Sequence, residues 1–244
     1  MSILASLTAD SSIATDKDSL GGNAALDSGL YLFTVNMAYI NKAASGALGL
    51  VLHLKTDDNR EVRQTLWMTS GTAKGCKNFY EKDGEKHFLP GFTHANNLCL
   101  LTVGKEVSAM EPETKVIKLY SSEAKAEVPT KAEVLTELLG KQIVVGLLKQ
   151  KVDKTAKNAE GVYMPTGETR EENEIDKLFR AADRMTAAEI RAQAAEAAFA
   201  FTWETKFAGT VRDRSKGVTA GAMPGIPMMA NAGAAKKPTT SLFG

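Results

Sequence analysis

Apolar and polar residues alternate along three consecutive stretches in the first third of the chain. Tyr31, Phe33, Val35, Met37 and Tyr39 share one face of a strand predicted over Gly29 to Ile40. Leu48, Leu50, Leu52 and Leu54 alternate with Gly49, Val51, His53 and Lys55, and Val62, Gln64, Leu66 and Met68 alternate with Arg63, Thr65 and Trp67. A period of two marks strands with one buried face. Asp57-Asp58-Asn59 between the last two runs has turn chemistry, so these runs form a hairpin. Matching Leu52 to Leu66 and Leu50 to Met68 sets Lys55 opposite Arg63, His53 opposite Thr65 and Val51 opposite Trp67. The outer face of the predicted meander then carries two cations, a histidine and a tryptophan. Like charges directly opposite repel unless an anion lies between them.

The rest of the chain reads less regularly. Ser70 to Gly91 is a polar insertion with Lys74, Lys77, Lys82, Lys86, Phe79, Tyr80 and Phe88, and it either covers Trp67 or opens to solvent. Thr93 to Val103 has helical spacing with Gly104 as its stop, and Val116 to Tyr120 is a short strand. Thr130 and Glu133 have the spacing of a capping box for a helix ending at Leu139-Gly140, ahead of a strand over Gln142 to Lys151. That strand ends in Lys149, Lys151 and Lys154 on a hairpin-like turn toward Val162-Tyr163. A helix is predicted over Glu171 to Ala182, with Ile175, Leu178 and Phe179 on one face. A second capping box, Thr186 to Glu189, opens a helix to about Phe207. Phe199, Trp203 and Phe207, four residues apart, form a stripe suited to a core or to a docked partner. The expected organisation is a flexible arm over 1–28, a nucleic-acid-binding domain over 29–165, a helical extension over 166–208 and a disordered basic tail over 209–244.

Composition adds little until it is resolved along the chain. With 43% hydrophobic and 24% charged residues, the sequence is that of an ordinary globular protein. It has no apolar run of membrane-spanning length and no basic leader followed by an apolar stretch. The net charge of +1 is unevenly spread: six cations face one carboxylate from Thr205 to Gly244, while Glu168, Glu171, Glu172, Glu174 and Asp176 form an acidic cluster, read as stabilising a helix N-terminus. Cys76 and Cys99 are expected to be free thiols in semi-buried positions in a reducing compartment. Ser70 to Lys77 lacks the spacing of a phosphate loop, and the three histidines and two cysteines lack zinc-ligand spacing. Nothing resembles a nucleophile elbow, a catalytic triad or a dinucleotide site, so neither an enzyme nor a cofactor is expected.

Five strands with an interposed helix describe an OB-fold-like barrel in a mainly β protein with some α, a fold whose sheet face and loops bind oligonucleotides. On that surface Lys55, Arg63, Lys74, Lys77, Lys149 and Lys151 would neutralise phosphates, while Trp67, Phe79, Tyr80 and Phe88 would stack bases. Several short motifs carry a family resemblance: Gly29-Leu30-Tyr31, Ser45-Gly46-Ala47, Leu89-Pro90-Gly91-Phe92, Leu139-Gly140-Lys141-Gln142, Asn173 to Phe179 and Thr186 to Glu189. Over about residues 29–190 the chain resembles bacteriophage single-stranded DNA-binding proteins of the OB-fold type. The resemblance implies sequence-independent binding of single-stranded DNA during phage replication or recombination, in the cytoplasm of the infected cell. Many such proteins end in an acidic tail with a terminal aromatic; here Phe243 is near-terminal but the tail is basic. The alternative function is recruitment of a replication or transcription protein, such as a polymerase, through the aromatic stripe and the tail.

Overall fold

The computed structural model describes residues 24–121, 123–158 and 161–216. Most of the predicted arm (1–23) and of the predicted tail (217–244) lies outside the described residues. The chain order is β1 (Gly29–Lys42), β2 (Leu48–Lys55), β3 (Glu61–Trp67), β4 (Phe79–Lys82), β5 (Glu85–Phe88), α1 (Pro90–Thr102), β6 (Glu113–Ser121), β7 (Ala126–Val134), β8 (Gln142–Lys157), β9 (Tyr163–Arg180), α2 (Ala187–Arg191), α3 (Phe199–Phe207) and β10 (Val211–Asp213). The protein is mainly β. One sheet runs β10-β8-β1-β2-β3, with β9 on β8 and the β6–β7 hairpin on the end of β1; β4 and β5 form a separate hairpin. Among the described residues all pairings are antiparallel except β10 with β8. No closed barrel forms among the described residues. No ladder joins β3 to β9, although the Ile175 amide of β9 donates to Gln64 Oε1 of β3 at 2.8 Å.

The alternation in β1 to β3 builds the core as expected. Phe33, Val35, Leu50, Leu52, Leu54, Val62 and Leu66 point inward with Leu98 and Cys99 of α1. In β1 the register shifts between Val35 and Met37, so Ala38 joins the main core while Met37 and Tyr39 turn to the opposite face. Six consecutive residues of β8, Ile143 to Leu148, are buried because both faces are covered. Ile143, Val145 and Leu147 enter the main core; Val144 and Leu148 meet Phe179, Ala200 and Trp203 beneath α3. Gly146 leaves room for that indole: a Cβ there would lie 3.0 Å from Trp203 Cε2.

Three predicted helical segments fold differently. Thr130 to Leu139 is strand β7 followed by a 3-10 turn over Thr136–Leu138. Pairing with β6 outweighs the local capping option, and Glu133 accepts from the Thr114 hydroxyl instead of closing a box. Residues 171–182 lie largely in β9. Its register shifts opposite Gly146/Leu147, so Ile175 and Leu178, three apart, both enter the main core, and Phe179 faces the other way. A bulge therefore imitates helical spacing. The 165/166 boundary falls inside this strand, so the second half of the chain is continuous with the sheet. The box at Thr186 and Glu189 is present, but its helix stops at Arg191; after a left-handed Gln193, α3 starts afresh at Phe199, whose amide donates to Glu189 Oε1 at 2.8 Å. Residues 70–91 hold the β4–β5 hairpin, and α1 begins at Pro90. Residues at both edges of the described chain are also fixed. The Leu26 amide and carbonyl pair with the Asn173 carboxamide at 2.8 Å each, and β10 lies along Lys149–Lys151.

Candidate nucleic-acid interface

The outer face of β1 to β3 follows from register. Its rows are Met37–His53–Arg63, Tyr39–Val51–Thr65 and Asn41–Gly49–Trp67. The hairpin is thus paired two residues away from the expected register: Lys55 faces Glu61, Arg63 faces His53, and Trp67 faces Gly49. The reason lies in the turn. Asn59 takes a left-handed conformation (φ 65°), and the Thr56 amide donates to the Arg60 carbonyl at 2.9 Å, closing a three-residue loop centred on Asp58. A slip of two preserves the faces, so the predicted outward set survives. The Lys55–Arg63 adjacency does not survive, because Lys55 Nζ sits 3.6 Å from Glu61 Oε1.

The β1 side of this face is capped. Tyr39 and Val51 pack with Val134 of β7, flanked by Ile117 and Leu119 of β6. The β3 side is open. Trp67 is 42% exposed and its indole lies over Gly49, where an added Cβ would come within 2.9 Å of Cε3. The α1 start packs on the Trp67 backbone, with Gly91 close to its carbonyl, and the indole itself remains accessible. Arg63 is exposed, and its guanidinium donates to the Tyr39 hydroxyl at 3.1 Å, which fixes its direction. Beside it, His53 Nε2 is buried without a hydrogen-bond partner among the described residues. Burial, reinforced by the Arg63 charge, holds the His53 imidazole below its ordinary value.

The insertion after Trp67 adds a second basic-aromatic surface. Ser70 and Lys77 close the neck of a loop: the Ser70 amide donates to the Lys77 carbonyl at 2.8 Å and the Lys77 amide to Ser70 Oγ at 3.0 Å. Beyond it Phe79 pairs with Phe88, and Tyr80 with His87. The Lys77 and Lys86 ammonium groups lie 5.4 and 5.1 Å from the Phe79 ring centre. Phe88 is 61% exposed and meets Phe92 of α1 at a centroid distance of 4.9 Å. Lys74, Lys77, Phe79 and Tyr80 line one open cleft of about 330 Å³ with Ser70, Glu81 and Leu89.

Lys149 and Lys151 belong elsewhere, on β8 beside β10. The Lys149 side chain is only 17% exposed, held 2.9 Å from Glu171 and 3.4 Å from Asp27; the Glu171 hydrogen bond leads in raising its pKa. Lys151 stands between Glu171 and Asp213 in register. The acidic cluster is therefore not a helix cap. Glu168 pairs with Lys154, Glu172 with Arg170, and Glu174 and Asp176 with Arg212. Cys76 is exposed rather than semi-buried; burial pushes the Cys99 thiol up to about 12.

The sequence reading left Tyr39, Lys86 and Arg170 out of the site. Arg170 shares a cleft with Arg63, Glu171 and Glu172 between β3 and β9, a neighbourhood that arises only when the two ends of the sheet approach. Lys86 was readable as a cross-strand neighbour of Phe79 only once the hairpin was known. Tyr163, exposed at the start of β9 with Lys157 Nζ 5.3 Å from its ring centre, is a further cation–aromatic pair. Among the described residues no helix is long and apolar enough to cross a membrane. No protein-family model matches the sequence, and no curated protein matches it.

Proposed function

We propose that this protein binds single-stranded DNA without reading its sequence, on an OB-type framework. Strand order supports the framework: β3-β2-β1-β8-β9 is a five-strand path whose ends approach through Gln64 and Ile175, with α1 between β3 and β8 in the chain. The observation that carries the function is the open β3 edge of the face. There an accessible indole on Gly49 and a guanidinium aimed by Tyr39 lie next in sequence to a loop and hairpin bearing Lys74, Lys77 and Lys86. Planar rings supply sequence-tolerant stacking and the cations neutralise phosphates. With the family resemblance, this reading makes the protein a coat for single strands exposed in phage replication or recombination. The test is affinity for a 5′-labelled oligo(dT) and for a duplex of equal length across salt concentrations. Preference for the single strand and a linear fall of log affinity with log salt support the reading; absence of binding, or binding without a salt slope, overturns it.

A second reading, recruitment of a replication or transcription protein, is favoured by one residue. Trp203 and Phe207 of the stripe pack on β8 and β9, Phe199 meets Phe179 yet stays 40% exposed, and Phe201 on the same helix is 75% exposed. Phe201→Ala would weaken capture of a purified polymerase partner while leaving DNA affinity unchanged; equal capture by both proteins would reject this reading.

A further inference from the structure

We infer that the Ser70–Lys77 loop and the β4–β5 hairpin form a pocket for one nucleotide unit of the bound strand, with its base against Phe79 and its phosphate at Lys74 and Lys77. The inference rests on the single-stranded DNA reading and adds to it a discrete subsite separate from the sheet face. The cleft of about 330 Å³ is of the size one base with its sugar requires, and Phe79 forms part of its wall. Its rim is built before any ligand arrives: two hydrogen bonds clamp Ser70 to Lys77, a 3-10 turn over Thr72–Lys74 follows, and Gly75 closes it in a left-handed conformation (φ 75°). Lys74 and Lys77, which both line the cleft, are thereby held at fixed spacing along the loop.

Charge compensation separates these lysines from the ion-paired ones on the surface, and their place around the Phe79 ring and cleft separates them from the other lysines without an ion pair. Lys55, Lys105, Lys115, Lys149 and Lys154 each pair with a carboxylate. Among the described residues Lys74, Lys77 and Lys86 have no such ion pair, and Lys77 and Lys86 lie over the Phe79 ring instead. A cation over a ring is a weak partner at an exposed site, and a phosphate is a stronger one. An incoming base would replace the ammonium groups on the ring, and Lys77 would turn to the phosphate of the same nucleotide. Glu81 also lines the cleft and repels phosphate, so the phosphate stays with the lysines while the base meets Phe79. A paired base within a duplex cannot present its face to Phe79 in this way, so the pocket selects single strands.

The experiment uses the full chain and a twelve-nucleotide oligo(dT) carrying 5-iododeoxyuridine, read by anisotropy and by photo-crosslink mapping, with Trp67→Ala as reference. Expected are a crosslink at Phe79, an affinity about tenfold lower for Phe79→Leu, and near wild-type affinity for Phe79→Trp. If the wild type binds and Trp67→Ala weakens it, but Phe79→Leu changes affinity less than twofold and crosslinks map away from residue 79, the pocket is refuted and the DNA-binding reading stands. If the wild type does not bind, both fall. Should Phe79→Leu melt below the assay temperature, the wild-type crosslink map decides.

Discussion

Replacing Trp67 by alanine separates stacking from charge. The indole is 42% exposed on the outer face and lies over Gly49, and it is not part of the main core, so its loss opens no cavity there. Stability should change by about 1 kcal/mol or less, the scale of a surface substitution. A stacked base is worth about 1–3 kcal/mol, so the dissociation constant for oligo(dT) should rise by roughly 5- to 150-fold. No charge is removed, so the same number of phosphates is neutralised. Plots of log affinity against log salt for wild type and variant should therefore be parallel, displaced downward. Anisotropy titrations at four or five salt concentrations measure both quantities, and a urea melt checks folding. Unchanged affinity would show that the indole is not a stacking platform. A changed slope would show that the substitution had disturbed the cations, and that the separation of roles argued from the register is wrong.

Arg63→Gln should do the converse, lowering the magnitude of the salt slope by about 0.7, the value of one phosphate contact on a single strand; an unchanged slope would place Arg63 outside the phosphate path. Trp203→Phe removes the donor that holds Asp176 Oδ2 at 2.7 Å and should cost about 1.5–3 kcal/mol in chemical denaturation, with oligo(dT) affinity unaltered. Asn173→Ala leaves the Leu26 amide and carbonyl without their partner and should destabilise by about 1–3 kcal/mol; a melt equal to wild type would mean that the Leu26 segment adds no stability. Burial lowers the pKa of both His53 and His94, so the unfolded chain binds more protons just below the ordinary value of 6.5. Their contribution is complete above pH 6.5 and is lost as pH falls from there through the shifted values. The double substitution His53→Asn/His94→Asn should flatten that part of the stability profile, and an unaltered profile would refute it.

The alternating runs of β1 to β3 were legible because a half-buried strand writes its two faces directly into the sequence. The outward set Arg63, Thr65 and Trp67 could be read before any register was known, since a slip of two residues keeps every side chain on its face. Which residues face each other across the hairpin could not. That depended on Asn59 taking a left-handed conformation, a choice between two turn lengths that the same three polar residues allow. The two capping-box motifs show the same division. Thr186 and Glu189 form theirs; Thr130 and Glu133 have the same spacing, yet the segment pairs with β6 and the end of β1.

Local pattern by itself thus determined the mainly β character, the core face of the meander, the helix after the insertion, and the residue types available for stacking and phosphate contact. Tertiary structure decided where those residues could act. The bulges in β1 and β9 exchange faces within a strand, which no fixed period can encode. Carboxylates far away in the chain, Glu171 and Asp27, take up Lys149, while Lys74, Lys77 and Lys86 have no carboxylate ion-pair partner among the described residues. A cation's availability depends on its spatial neighbours, and these are set by strand pairing across the whole sheet.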